Sequence, residues 1–135
     1  MKIATQGEPI QAACWVPLDY QATEGETVMD APNASLVIAA IKREAQRRVL
    51  AATGSSGAEI EKVEDWVPAQ LSILSEGARL VRKESRGTAT PEQIERLDQL
   101  ELIGDLVDAI RACAKAKIFA FVGGQPADVL EGWPS

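Results

Sequence analysis

The sequence predicts a mainly α-helical protein. Two long helices form an antiparallel hairpin, a third packs on them as a three-helix bundle or coiled coil, and a short extended or β arm precedes them. Three observations lead there. From residue 33 onward, apolar residues recur at spacings of three and four, the period of one helix face. Aromatics are only 4% of the chain, which leaves an aliphatic, alanine-rich core better suited to helices than to a Val/Thr/Tyr sandwich. Gly7, Pro9, Pro17, Gly25 and Pro32 punctuate residues 1–32, so no long helix fits there. The expected organisation is an arm at 1–32, a helical bundle at 33–122 and a non-helical tail at 123–135.

Within the arm, residues 11–16 and 26–29 are β-prone, and Glu24-Gly25-Glu26 makes a plausible turn. The arm carries Lys2 against Glu8, Asp19, Glu24, Glu26 and Asp30, so it holds much of the acidic excess. After Pro32, Asn33 and Ser35 offer N-cap oxygens to free amides. Ile38, Ile41, Ala45, Val49 and Ala52 then define one helix face, with Lys42, Arg43, Glu44, Arg47 and Arg48 opposite. Thr53-Gly54-Ser55-Ser56-Gly57 stops that helix.

The second helical region spans 58–86, with Ile60, Val63, Val67, Leu71, Leu74, Ala78 and Val81 in register. Pro68 interrupts it. A proline inside a helix costs roughly 3 kcal/mol, so a turn at Asp65-Trp66 and a fresh helix with Pro68 in its first turn are expected. Trp66 then reads as a core residue at the junction. Thr90-Pro91-Glu92-Gln93 is a capping-box start for the third helix. Its apolar face holds Ile94, Leu97, Leu100, Ile103, Val107, Ile110, Ala114 and Phe121, with Leu106 and Ile118 flanking. Acids fill its first half and Arg111, Lys115 and Lys117 its second, in the sense of the helix dipole. Gly123-Gly124-Gln125-Pro126 ends it, and the tail carries Trp133. The long helices are joined by the short loop 87–90 and are therefore expected antiparallel.

The composition excludes several function classes. The 135 residues fit one domain. Fourteen basic against twenty acidic side chains give −6, which repels phosphate and argues against nucleic acid. There is no histidine, hence neither the commonest general base nor the commonest metal ligand. Cys14 and Cys113 cannot fill a zinc site, and two free thiols are expected rather than a disulfide. The N-terminus has no signal-like apolar run, and the apolar windows 36–41 and 116–122 fall short of the roughly 18 residues that cross a bilayer. No membrane role and synthesis in the cytoplasm are expected.

No catalytic constellation emerges. Glu61, Glu64 and Asp65, and Asp105 with Asp108, are close carboxylates that read as solvated helix surface. Lys42-Arg43 with Arg47-Arg48 is a small basic face without interleaved aromatics. Gly123-Gly124 lacks the lysine of a phosphate loop, and Ser55-Ser56 lacks an activating base. No cofactor, metal or enzymatic activity is expected. Trp133, on a Gly/Pro tail, and Trp15, in the arm, divide between core and partner docking.

A resemblance adds a setting. Ile41-Lys42-Arg43-Glu44-Ala45-Gln46-Arg47-Arg48-Val49 fits an I-K-x-E-A-x-R-R-I pattern. Trp66, Gln70 and Ser72-Ile73-Leu74 loosely fit a Trp-x-Gln-x-Asn-like segment, Thr90-Pro91-Glu92-Gln93 fits Thr-x-Glu-Glu, and Ile110-Arg111-Ala112 fits a closing I-R-A helix. In this order, over about residues 36–115, they resemble a helical module of tailed-bacteriophage tail fibre and tail assembly proteins. The match departs in the middle, where Trp66 is two residues early relative to Gln70 and Ser72 replaces Asn. The resemblance implies a structural part of the virion tail, made in the host bacterial cytoplasm, that joins a fibre or appendage to the tail tip or baseplate. Its partners would be other tail, baseplate or fibre proteins and copies of itself, a trimer being one such state. The residues expected to meet partners are Trp15, Arg47, Arg48 and Trp133, with the acidic arm docking on the Arg47-Arg48 face of a neighbour. Two alternatives stand beside it: a fibre assembly chaperone absent from the mature virion, and a host-type helical adaptor.

Overall fold

The computed structural model describes the backbone of residues 1–53 and 63–135, and the side chains of 1–53 and 74–135. Its elements are β1 (Lys2–Gln6), β2 (Ala12–Val16), β3 (Glu26–Asp30), α1 (Ala34–Ala52), α2 (Val63–Ser85), α3 (Pro91–Val122) and β4 (Ala127–Asp128). The protein is mainly helical, with three helices and a small antiparallel sheet. It divides into two compact units, Met1–Gln46 with Ile110–Ser135, and Arg47–Ala109.

In the first unit, the strands lie in the order β3-β1-β2-β4. This corrects the expected arm. Residues 1–32 build three strands of a sheet, and the expected tail supplies the fourth. The β-prone pieces 11–16 and 26–29 coincide with β2 and β3; β1 carries two β-branched or aromatic residues, as they do, but lies outside the expected β-prone pieces, and β4 is only two residues long. Ile3 faces Trp15 on one side and Met29 on the other, and Thr5 faces Ala13 and Thr27, so these residues share one face of the sheet. The buried Thr5 hydroxyl donates to the Thr27 carbonyl oxygen at 3.3 Å. Phe121, Ile3, Ile41, Val37 and Ile110 are the largest fully buried side chains of this unit. The turn between β1 and β2 begins at Gly7, whose φ of +85° is in the left-handed region. A Cβ built there would lie 2.8 Å from Gln11 Cγ and 3.1 Å from the Pro9 oxygen. Gly7→Ala is therefore expected to destabilise by about 1–2 kcal/mol, read as an earlier urea midpoint at unchanged slope.

Both long-helix C-termini close on the same device. After α2, Thr88 N–H reaches the Lys83 oxygen (2.9 Å) and Gly87 N–H the Glu84 oxygen (3.0 Å), with Gly87 at φ +71°. After α3, Gln125 reaches Ala120 (2.9 Å) and Gly124 reaches Phe121 (3.0 Å), with Gly124 at φ +100°. These are Schellman closures, which satisfy carbonyls that the helix leaves open. At the start of α3 the capping box forms: Gln93 N–H donates to Thr90 Oγ1 at 3.2 Å, and Thr90 N–H donates to Gln93 Oε1 at 3.0 Å.

The second unit departs from the sequence reading in two ways. α2 runs from Val63 through Asp65, Trp66 and Pro68 without the expected turn. Pro68 lies inside the described helix, where it has no N–H to offer the helical hydrogen-bond ladder. The Trp66 side chain, the side chains of Glu64 and Asp65, and residues Ser55, Ser56, Ile60 and Glu61 lie outside the described residues. The expected inward stripe of α2 is also turned. Leu74 and Val81 are 68% and 52% exposed and Ala78 is exposed, while Leu80 is buried. The inward side instead carries Gly77, where an added Cβ would sit 3.8 Å from Leu100 Cδ1, and Glu76, which holds Arg96. Its second half offers two candidate stripes one residue apart, and the tie to α3 selects the one with Gly77 and Leu80. Leu97, Val49 and Leu50 are buried here. Ile94 at the start of α3 is 41% exposed, off its expected face; in the first unit, Glu44 on α1 is buried rather than solvated and has its own interactions.

Candidate docking groove

The described surface has one concavity of interest built by two helices of the first unit. α1 contributes Lys42, Ala45 and Gln46, and α3 contributes a wall that runs from Arg111 to Val122. The groove encloses about 530 Å³. Its floor is set by Ala45 and Ala114, both 8% exposed, whose small side chains leave room above them. Above the floor stand Ile118, Phe119 and Val122, with Phe119 81% and Val122 63% exposed. Lys42, Arg111 and Lys115 form the rim, and no lining side chain is a carboxylate. The geometry comes from the helix period. Phe121, Ala114 and Ile110 turn into the core, so Phe119 and Val122, two residues before and one after Phe121, must turn outward. An apolar strip flanked by cations has no chemistry of its own; it binds an apolar surface with acidic edges.

The structure gives the four residues singled out from the sequence different tasks, and does not gather them into one site. Trp15 is half-buried on β2. Its ring stacks on Phe121 with centroids 5.1 Å apart and planes 20° apart, and its Nε1 donates to the Phe121 carbonyl oxygen at 2.7 Å. Trp133 is half-buried as well, donating Nε1–H to the Val129 oxygen at 2.8 Å. The Lys117 ammonium stands 5.2 Å from the Trp133 ring centroid and donates to the Asp128 oxygen (2.7 Å) and the Glu131 oxygen (2.6 Å). Asp128 Oδ1 accepts from Leu130 N–H and Glu131 N–H, both at 3.0 Å, which folds the tail back. Both tryptophans are thus engaged within their own chain. Arg47 is exposed and Arg48 half-buried, each with its own interactions, and neither lines the groove. The sequence reading missed Phe119. Its signal was the second apolar stripe of α3, at Ile118, Phe119 and Val122, beside the stripe that ends at Phe121.

A second, smaller hollow of about 310 Å³ lies on the sheet, lined by Ala4, Gln6, Ala12, Cys14, Glu26 and Asp128 among others. Glu26 is the structured acid there. Its Oε1 accepts from the Thr23 hydroxyl, from Thr23 N–H at 2.9 Å and from the Tyr20 hydroxyl at 2.7 Å. The Thr23 hydroxyl first, then the Thr23 amide and Tyr20, hold the Glu26 carboxyl below its ordinary value, and donating to Glu26 raises Tyr20. A depressed carboxyl adds stability above its unfolded value, and that contribution is lost as pH falls through the folded value. The same sign applies to Glu76, lowered by Arg96. Thr23→Val is expected to move the Glu26 titration toward that of a free glutamate, followed by carboxyl-carbon NMR, and to raise the pH of acid unfolding.

Cys14 and Cys113 are free and half-buried. Asp105 and Asp108 are exposed. Among the described residues, no three His, Cys, Asp or Glu side chains cluster as a metal ion requires, and no helix is long and apolar enough to cross a membrane. No family model matches the chain, and neither a curated protein nor a solved structure shows significant similarity to it.

Proposed function

We propose that this chain is a non-enzymatic structural protein of a bacteriophage tail, joining a fibre or appendage to the tail tip or baseplate through packing of its long-helix hairpin and bundle. The observation that carries this reading is the cation-rimmed apolar groove. A face with Phe119 and Val122 in water is costly for a protein that stays alone, and it suits one whose working state is an assembly. The order of the tail-module motifs supports the setting: the first lies on α1, Thr90-Pro91-Glu92-Gln93 opens α3, and Ile110-Arg111-Ala112 lies within it. In this reading partners meet the groove, while Trp15 and Trp133 keep the presenting scaffold rigid.

Quantitative mass spectrometry of purified virions from the phage or prophage that encodes the chain tests the reading. Peptides at a fixed ratio to a known tail protein are expected. Absence from virions, with the protein abundant in infected lysate, overturns the structural role in favour of an assembly chaperone.

A further inference from the structure

The groove on the first unit is a trough, and its walls limit what can lie in it. All of its lining residues fall within Met1–Gln46 and Ile110–Ser135, so that unit builds it alone. Arg111, Lys115, Ile118 and Val122 follow one another at spacings of four, three and four, which sets them in one line along α3. At 1.5 Å per residue that line is about 17 Å long. It is cationic over its first turn and apolar beyond, where Phe119 stands beside it. Both walls are helices whose backbone groups are spent within the helix, so an extended peptide would find no ladder to join. An α-helix satisfies its own backbone and needs only side chains from its host. The floor at Ala45 and Ala114 lies below the rim, where a flat bilayer surface does not reach. A second copy offering the same groove would set Lys42, Arg111 and Lys115 against themselves.

We infer that the occupant of the groove is an amphipathic α-helix of a different polypeptide, with acidic edges. Its apolar residues, three or four apart, lie over Ala45 and Ala114 against Ile118, Phe119 and Val122. Two of its acidic residues, one turn apart, meet Arg111 and Lys115, which are themselves one turn apart. Anchors at i, i+3 or i+4, and i+7 span about 11 Å, which the length of the wall accommodates. Charge makes the choice of partner: three cations stand on the rim, and no lining side chain is a carboxylate that would repel the incoming acids. The inference rests on the reading that partners meet the groove, and adds the kind of partner that does.

Fluorescence anisotropy of a labelled synthetic peptide titrated with the full chain tests it. The peptide is an alanine-based helix of about 14 residues, with leucines three and four apart on one face and glutamates beside them. Its twin carries lysines in place of the glutamates. The acidic peptide is expected to bind at least about tenfold tighter than its twin, and more weakly at high salt. Phe119→Asp, and separately Arg111→Glu with Lys115→Glu, alter exposed side chains, so the circular dichroism of each variant is expected to match the wild type. The first is expected to weaken binding at least about tenfold. The second is expected to invert the preference, so that the lysine twin binds tighter. Equal binding of the two peptides, or binding that survives Phe119→Asp, overturns the inference. So does a wild type indifferent to the acidic peptide, whether its groove then takes vesicles of equimolar phosphatidylcholine and phosphatidylglycerol or a second copy seen by sedimentation velocity. Virion mass spectrometry keeps this separate from the tail reading. A chain absent from virions that binds the acidic peptide loses the tail role and keeps the helix partner; a virion component that ignores the peptide does the reverse.

Discussion

Replacing Phe121 by alanine is expected to lower stability by about 3–5 kcal/mol, the range for truncating a buried aromatic that its surroundings cannot refill. Phe121 has no exposed surface and is the largest of the fully buried side chains. Its ring is the stacking partner of Trp15, and its neighbours on the same helix face, Ala114 and Ile110, are held by the helix and cannot close the gap. The backbone oxygen of residue 121 survives the substitution, so Trp15 keeps its hydrogen-bond acceptor and loses only its ring partner. Urea unfolding is expected to give a lower midpoint at an unchanged slope, with Trp15 emission shifted toward that of a wetter indole. A loss below about 1 kcal/mol would mean that the sheet and α3 are not held together by this pair.

Deleting residues 125–135 is the second large effect, and it is expected to cost about 3–5 kcal/mol rather than leave the fold untouched. The deletion takes away the buried Ala127 and Val129, the pairing of β4 with β2, and the bond from Val129 N–H to the Gln11 oxygen at 2.8 Å. It also removes the Gln125 amide that closes α3 and leaves the Lys117 ammonium without its two carbonyl acceptors. Beyond the energy, one edge of β2 becomes an open ladder, so the shortened protein is expected to aggregate on heating where the full chain refolds. Thermal unfolding followed by a second scan checks both points. Failure of such a protein to assemble would therefore say little about docking; Phe119→Asp, which alters an exposed groove residue and leaves the core intact, is the cleaner probe.

What could be read from the sequence follows the range of the interactions. The capping box at Thr90 and Gln93 and the glycine closures at Gly87 and Gly124 depend on residues a few positions apart, and spacing alone locates them. Helix α3, with Leu97, Ile110, Ala114 and Phe121 inward, follows from a period repeated over many turns. The sheet was legible only in pieces: β2 and β3 coincide with β-prone stretches, but the order β3-β1-β2-β4 depends on pairing between distant segments, and the two-residue β4 exists only through a partner at the far end of the sequence. Pro68 was a strong local signal for a break that the helix absorbs. The groove was hidden for a related reason: Phe119 and Phe121 are equally apolar in sequence, and only the direction of the core separates the buried one from the exposed one. Trp15 and Trp133 were legible as residues divided between core and partner docking, and sequence spacing could not decide between the two, since the Phe121 oxygen and the Lys117 ammonium that engage them lie on α3.

The stacking of Trp15 on Phe121 joins residues 106 positions apart. At a synthesis rate of about 5–20 residues per second, the ribosome takes roughly 5–20 seconds to deliver Phe121 after Trp15. The β1–β2 hairpin and its pairing with β3 are local and can form as soon as they emerge, on a timescale of microseconds. For those seconds the nascent sheet shows Trp15 without the ring that stacks on it. The late step in the birth of this protein is thus the arrival of the end of α3, and anything that slows elongation through α2 prolongs the interval in which a nascent-chain binder could hold that tryptophan.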